Sequence, residues 1–361
     1  MAAPDPENET MKSILAGVGA LCLPLALGSL AAGQDEKPSA SVADQQRVVT
    51  RIGIVGCHQQ SRPAPALSRY VEAKPDLVLW VGDNVYADTK DDINFIKSCY
   101  AVLEGKPAFQ ELRKQSIFMA GWDDHDYGLN NTGKNYPLKQ ESKALFRRFW
   151  KNASWIPEDR DGVYHSRTFG ARDQALQVIV LDPRFNRDDE GEDSDTLGEN
   201  QWKWLEAELR ESAALRLVVS GYQVLLDRES KFETWAKFPR ARQRLFDLIK
   251  KTEAENVIFI TGDQHYGEVL RVDDSLGYDA VEFMFSGINQ EEPHVYATHR
   301  VSPVAHARDS YALIDVQWKS DSVRGDNADP AHVTFRCFDA WKQEAELTYR
   351  VNLSELKSPQ R

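Results

Sequence analysis

The sequence is poor in cysteine, with four among 361 residues. Small secreted domains that cannot bury enough apolar surface are usually held together by many disulfide bonds. Four cysteines are too few for such a scaffold in a chain of this length. The fold must therefore rest on a buried apolar core.

An excess of basic residues is also missing. Lys and Arg number 44 against 56 Asp and Glu, which gives a formal net charge of −12 at pH 7. Sequence-independent binding to nucleic acid needs a basic surface that displaces counterions from phosphates, so the charge argues against a nucleic-acid partner. The hydrophobic share of 42% and the charged share of 28% are typical of a globular protein and exclude a disordered or collagen-like chain.

Long hydrophobic runs are absent except for one, residues 14–32, which follows Lys12, contains Pro24 and ends in small residues. This order predicts a signal peptide over residues 1–32, a translation start at Met11, and a periplasmic or extracellular location. An uncleaved anchor is the alternative, because 19 apolar residues can span a bilayer. The glycines and the proline favour cleavage, which would remove Cys22 and leave no stable membrane span.

The rest of the chain divides by composition into three parts. Residues 33–47 are polar without periodicity and predict a linker. Residues 48–355 predict a single folded domain, and residues 356–361 predict a frayed polar tail.

One local pattern recurs through the domain: a short run rich in Val and Ile, usually a glycine, and then a polar side chain. Such runs are typical of strands buried on both faces. Helical spacing of apolar residues lies between them, at 65–73, 92–103, 139–150, 199–211 and 240–255. This alternation predicts an α/β fold of largely parallel strands in two packed sheets, with helices on both outer faces. Three further strands, 311–318, 332–338 and 345–351, are expected to pair antiparallel at a sheet edge.

In parallel sheets, ligands bind beyond the carboxyl ends of the strands. The recurring pattern places seven polar residues at those ends: Cys57, Asp83, Asp124, His125, Asp182, Asp263 and His265. Mixed oxygen, nitrogen and sulfur donors favour a transition metal. A bridging carboxylate would imply two metals, which can clamp a displacement at phosphorus and supply a metal-bound hydroxide as nucleophile.

Five motifs in this order resemble those of alkaline phosphatase D-like metallophosphatases, a branch of the calcineurin-like superfamily. They are residues 82–86 (GDNVY), 122–130 (WDDHDYGLN), 181–184 (LDPR), 197–205 (LGENQWKWL) and 261–265 (TGDQH). The resemblance covers roughly residues 51–318. It implies a four-layer αββα sandwich and hydrolysis of phosphate monoesters and diesters outside the cytoplasm.

The resemblance also implies a metal site with Fe³⁺ and Ca²⁺. Asp83 resembles the bridging carboxylate, while Tyr86, Cys57 and His265 are similar to the ligands of ferric iron. Asp124 and Asp263 would hold the second metal, for which Zn²⁺, Mn²⁺ or Mg²⁺ are alternatives to Ca²⁺.

Further roles follow from the same resemblance. His125 resembles the acid that protonates the leaving group. Asn130 or Asn131 would reach the second metal or the phosphate, and Arg184 would contact phosphate oxygens, although an Arg can also simply pair with nearby carboxylates.

Two more residues are substrate-binding candidates. His58 stands where many relatives have Gln and could be an extra ligand or a phosphate contact. Gln223 follows another strand and could approach the second metal.

The sequence therefore predicts an exported metal-dependent phosphoesterase acting on small phosphate esters or diesters, including phospholipid head groups. A strict phosphodiesterase of lipid or polymer diesters and a catalytically silent metal-binding module are the alternatives. The sequence also leaves open the natural ester, the oligomeric state, whether Cys99 and Cys337 form a disulfide, and whether the loop at 290–309 is a lid or plain surface.

Overall fold

The structure is a computed structural model that describes residues 46–151, 154–227, 232–306, 308–319 and 330–359. The predicted signal peptide and nearly all of the predicted linker lie outside the described residues. Within the described ranges, no helix is long and apolar enough to cross a membrane.

The first sheet has six strands in the order β12-β11-β10-β1-β2-β3. The strands are β1 (Arg51–Val55), β2 (Leu77–Trp80), β3 (Ile117–Ala120), β10 (Ser310–Gln317), β11 (His332–Asp339) and β12 (Ala345–Asn352). β1, β2 and β3 are parallel, whereas β10, β11 and β12 pair antiparallel at the edge, as predicted.

The second sheet has the order β4-β5-β6-β7-β9-β8. The strands are β4 (His165–Phe169), β5 (Leu176–Val180), β6 (Leu215–Ser220), β7 (Val257–Thr261), β8 (Gly267–Val272) and β9 (Ala280–Phe285). β5, β6, β7 and β9 are parallel, and β4 and β8 close the two edges antiparallel.

The helices lie outside the sheets or in the loops that follow the strands. They are α1 (Pro65–Ala73), α2 (Ile93–Glu104), α3 (Pro107–Gln115), α4 (Asp124–Tyr127), α5 (Lys139–Trp150), α6 (Glu199–Leu209) and α7 (Pro239–Lys251). Short 3-10 turns occur at Arg172–Gln174, Trp235–Lys237 and Leu353–Glu355.

Two apolar clusters hold these layers together. One contains the facing sides of both sheets and reaches α6 and α7, and within it the rings of Phe283 and Phe335 stack between the sheets at 4.8 Å. The other packs α1, α2, α3 and α5 on the outer side of the first sheet. The predicted four-layer αββα sandwich is therefore confirmed.

Some elements were not predicted. β4 is only half-buried along its middle, and β8 contains the buried Glu268. Neither strand therefore has the continuous apolar run from which the other strands were predicted. α3 has only two buried apolar residues, Phe109 and Leu112. The tail prediction needs one correction: Leu356 is buried, and its carbonyl accepts a hydrogen bond from the amide of Asn256.

The fold bears on two questions that the sequence left open, the state of Cys99 and Cys337 and the nature of the loop at 290–309. Cys99 and Cys337 are free thiols that pack in different apolar clusters. In the loop at 290–309, the backbone of Val301 and Ala305 hydrogen-bonds to β8, so this stretch extends the edge of the second sheet.

Candidate metal centre

The carboxyl ends of β1, β2, β3 and β7 meet at one edge of the sandwich. The loops after β1 and β2 are joined by backbone hydrogen bonds, from Cys57 to Gly82 at 3.2 Å and from His58 to Asp83 at 2.8 Å. These bonds fix the first residues after each strand relative to one another. The predicted convergence of side chains at this edge is what the structure shows.

Four of the predicted ligands have a backbone conformation that non-glycine residues rarely adopt. The φ angle is 53° at Cys57, 50° at Asp83, 74° at Asp263 and 61° at His265. A left-handed conformation costs an L-residue roughly 1–2 kcal/mol. Because such strained residues cluster at active sites and ligand clamps, their coincidence at one edge marks a functional site.

Four side chains form what we call the thiol side of the centre: Cys57, Asp83, Tyr86 and His265. The Oδ2 atom of Asp83 lies 3.6 Å from Sγ of Cys57 and 3.4 Å from the hydroxyl of Tyr86. The same hydroxyl lies 3.2 Å from Nε2 of His265. One sulfur, one phenol, one imidazole and one carboxylate therefore converge.

The electrostatics of the thiol side favour a bound cation. Burial raises the pKa of the Cys57 thiol well above its usual range, and the carboxylates of Asp83 and Asp263 raise it further. Burial likewise raises the pKa of Tyr86, with Cys57 and Asp83 adding to the effect. A metal ion reverses this balance, since coordination deprotonates thiols and phenols. The mixed oxygen, nitrogen and sulfur donors fit a transition metal.

Four aspartates and His125 form what we call the carboxylate side. Ligand atoms of Asp83, Asp123 and Asp263 lie within 4.8 Å of one another, and so do those of Asp83, Asp124 and His125. The Oδ2 atoms of Asp123 and Asp263 are buried without a hydrogen-bond partner in the described structure.

Burial raises the pKa of Asp83 well above its usual range, and Asp124 raises it further. The pKa of Asp263 is raised by burial and by Asp123. Packed carboxylates with unpartnered oxygens are costly without a cation, so these residues fit a second metal with hard oxygen ligands.

Asp123 is confined by two glycines at the strand ends. A Cβ atom on Gly82, whose φ is +132°, would lie 2.7 Å from Cβ of Asp123. A Cβ atom on Gly221 would lie 2.6 Å from its carboxylate carbon. These glycines are thus required by the close approach of Asp123 to the loops after β2 and β6.

Arg184, for which the resemblance implied a contact with phosphate oxygens, is buried among carboxylates. Its side chain has no exposed surface, and its Nε atom donates to Oδ1 of Asp123. Its Nη1 atom lies 2.5 Å from Glu233, and Nη2 lies 3.8 Å from Asp124. The geometry fits the alternative that the sequence left open, in which Arg184 pairs with the carboxylates.

His125 lies at the rim of the centre, with 21% of its side chain exposed. Its Nδ1 atom lies 2.7 Å from Oδ2 of Asp88, and its ring packs on Tyr86 at 4.3 Å. Burial opposes protonation of the imidazole, but the hydrogen bond to Asp88 and the charges of Asp83 and Asp124 outweigh it and raise the pKa of His125 to about 10. The ring is held as a proton donor beside the carboxylates.

The remaining substrate-binding candidates are either exposed on a loop or buried with hydrogen bonds to other parts of the protein. Asn130 and Asn131 are exposed, and their backbone amides donate to Asp88 and Asp124 at 2.8 and 2.6 Å. His58 is fully buried, with its Nδ1 atom 3.1 Å from the carbonyl of Asn84, and burial lowers its pKa to about 3. The amide of Gln223 donates to Glu268 at 3.0 Å.

Asp182, which was expected at the same edge, serves the fold. Its carboxylate accepts hydrogen bonds from the indole of Trp122 at 2.8 Å and from the amide of Val163 at 2.8 Å. Two further bonds come from the amides of Arg184 and Phe185. The carboxylate therefore anchors the turn that carries Arg184.

Three residues of the centre were missed in the sequence. Asp123 precedes the predicted Asp124 in the same turn, and Asp88 lies only two residues after Tyr86. These two could have been included by their proximity to motif residues. Glu233 had no signal, because it follows no strand and lies in a polar stretch.

A family model described as PhoD-like phosphatase matches residues 97–327. The solved structure of PhoD superposes with a TM-score of 0.64 at 17% identity, covering 87% of this chain and 72% of that one. A second structure, GAP50, described as the anchor in the inner membrane complex of Plasmodium, has a TM-score of 0.53 at 12% identity and covers 85% of this chain and 89% of its own. At these identities both structures show the fold alone. No curated protein matches the chain.

Proposed function

Since the chain belongs to the PhoD-like phosphatase family, we propose that it is an exported, metal-dependent phosphoesterase that hydrolyses phosphate monoesters, diesters or both. The observation that carries the proposal is the convergence of a thiol, a phenol, an imidazole and four aspartates at one strand-end edge. The apolar segment at residues 14–32 supports export.

We assign Fe³⁺ to Cys57, Asp83, Tyr86 and His265, and Ca²⁺ or another divalent ion to the aspartates of the carboxylate side, with His125 left as a proton donor. Sulfur and phenolate suit ferric iron, whereas oxygen ligands suit calcium. Such metals supply Lewis acidity toward phosphoryl oxygens and lower the pKa of water. Asp83 belongs to both groups of ligands, which is the position of a bridging carboxylate.

The protein's own residues manage the proton of the leaving group. His125 delivers a proton to the departing alkoxide, and its hydrogen bond with Asp88 raises its pKa and so favours the protonated imidazole. Asp88 holds Nδ1 of the ring, which leaves Nε2 as the donor. Asn130 and Asn131, on an exposed loop tied to Asp88 and Asp124, are the proposed contacts to the phosphate.

The test is hydrolysis of p-nitrophenyl phosphate and bis-p-nitrophenyl phosphate between pH 6 and 10 by protein reconstituted with iron and calcium. Turnover that is lost on chelation and restored by metal supports the proposal. Activity on the diester alone would identify a strict phosphodiesterase. Bound metal without turnover on either ester would identify a silent metal-binding module instead.

A further inference from the structure

Glu233 lies at the meeting point of two buried arginines. Its carboxylate pairs with Nη1 of Arg184 at 2.5 Å and also with Nη2 of Arg187. The side chains of all three residues are 3% exposed or less. Three charges removed from water in this way are stable only when each is paired.

Each arginine leads from Glu233 to a different part of the metal centre. Arg184 reaches the turn at the start of α4, where it donates to Asp123 and lies 3.8 Å from Asp124. Arg187 reaches the next loop, where its Nη1 atom lies 3.5 Å from the carbonyl of Asn131.

These two branches meet again at Asp124, whose Oδ2 atom accepts the amide of Asn131 at 2.6 Å. Glu233 is thereby connected, through two separate arginines, to the turn that carries Asp123 and Asp124 and to the Asn131 loop that donates a hydrogen bond to Asp124. A change in Glu233 would therefore disturb both segments at once.

The backbone around Glu233 is fixed to the end of β6. Thr234 forms a bridge with Gln223, and the amide of Trp235 donates to the carbonyl of Gln223 at 2.9 Å. The indole of Trp235 donates to the hydroxyl of Ser220 at 3.1 Å. The loop that carries Glu233 is thus tied by hydrogen bonds to the end of β6, which suits a residue that orients others.

We propose that Glu233 is a positioning residue of the metal centre, which holds Arg184 against Asp123 and Arg187 against the Asn131 loop and so sets the affinity of the carboxylate side for its metal. This inference rests on the proposed function, because it assumes that the carboxylates bind metal. Glu233 lies outside the five sequence motifs and is not one of the proposed metal ligands.

Glu233→Gln is the variant that tests it, since it keeps the size of the side chain and removes the charge. Metal-depleted protein is titrated with Mn²⁺ by calorimetry, and the bound ion is observed by electron paramagnetic resonance. Removal of a residue that holds metal ligands in position typically lowers metal affinity by about 10- to 100-fold. We expect the Mn²⁺ affinity of Glu233→Gln to decrease within that range.

Glu190→Gln is the matched control. Glu190 contacts the same Nη2 atom of Arg187 at 3.6 Å, but 42% of its side chain is exposed. Exposed pairs contribute little, so its Mn²⁺ affinity should stay within about twofold of wild type.

If folded Glu233→Gln bound Mn²⁺ with wild-type affinity, the proposal would be overturned. A lower melting temperature alone would not rescue it, because a residue that only supports the fold would lower stability without changing metal affinity. If Glu233→Gln does not fold, Glu233→Asp replaces it, with lowered affinity supporting the proposal and unchanged affinity overturning it. The readout needs no turnover. Wild-type protein that binds Mn²⁺ without hydrolysing esters would therefore refute the proposed function and leave this test intact.

Discussion

The two sides of the metal centre differ in how their negative charge is balanced. On the thiol side, burial and neighbouring carboxylates both raise the pKa of Cys57. On the carboxylate side, burial raises the pKa of Asp124, but Arg184 and His125 outweigh burial and lower it below its usual range. The thiol side thus needs a strongly charged cation to ionise it. On the carboxylate side the protein itself favours ionisation of Asp124, whereas the other aspartates there keep raised pKa values. This difference adds to the donor types, which are our reason for proposing iron on one side and a divalent ion on the other.

The largest effect is expected from removing the one residue that both sides share. Asp83→Asn should lower metal content on both sides and reduce kcat/KM by at least about 100-fold. Loss of a residue that only orients a metal ligand costs up to about 100-fold, and loss of a ligand itself should cost at least as much. Asn tolerates the left-handed backbone that this position requires, at a φ of 50°, so the variant should fold. Metal analysis beside ester hydrolysis measures the effect. A variant that lost metal from one side alone would show that Asp83 does not bridge.

The next prediction separates the two sides. Tyr86→Phe removes the phenol from the thiol side and should reduce bound iron to a small fraction, while Ca²⁺ affinity falls by less than about tenfold because the carboxylate ligands are intact. Tyr164→Phe is the control, since the Tyr164 hydroxyl bonds to Asp161. Iron and calcium are counted by elemental analysis. Equal loss of both metals would contradict independent sides.

A smaller effect is expected at the rim of the carboxylate side. Asp88→Asn weakens the bond that orients His125 and should slow hydrolysis of alkyl phosphates by roughly tenfold, a fraction of what a general acid contributes. Aryl phosphates with a good leaving group need less protonation and should slow by less than about threefold. The ratio of the two rates is the measurement. Equal slowing of both would argue that Asp88 only supports the loop of Asn130.

An effect on stability rather than on turnover is expected outside the centre, and it separates acid loss of metal from acid loss of the fold. Burial lowers the pKa of His165 from 6.5 to about 4. The stability that this neutral imidazole contributes is therefore complete above pH 6.5 and lost as the pH falls toward 4. At pH 5 the loss is about 2 kcal/mol, from about 1.4 kcal/mol per pKa unit.

His165→Gln cannot be protonated, and its amide can replace the hydrogen bond from Nδ1 to Val163. Melting temperatures of wild type and variant at pH 7.5 and pH 5 measure the effect. We expect the variant to lose less stability between these two values, without a change in metal content. Parallel decreases in both proteins would show that His165 does not contribute.

The two sides of the metal centre also differ in how much of each could be predicted from the sequence. Cys57, Asp83 and His265 follow apolar strands directly, so the strand pattern and the motifs together located the thiol side. The arrangement around Arg184 depends on pairing with Asp123, 61 residues away, and with Glu233 in a loop. No local pattern encodes which partner a buried charge finds, because packing of the two sheets decides it.

The same limit applies to the fold. Buried parallel strands such as β2 and β7 are almost entirely apolar and were predicted from these runs. β8 interrupts its run with Glu268, whose charge is balanced by Arg300 at 2.6 Å, a contact made only in three dimensions. Edge strands that bury charged residues are therefore the elements that sequence patterns miss.

The visible absorption spectrum of protein reconstituted with Fe³⁺ tests the central claim, a metal centre with an iron-binding thiol side, most directly. Tyrosinate bound to ferric iron absorbs visible light, so the account predicts a coloured protein whose band disappears in Tyr86→Phe. A colourless, iron-free protein that hydrolyses phosphate esters at full rate would contradict the assignment of Cys57 and Tyr86.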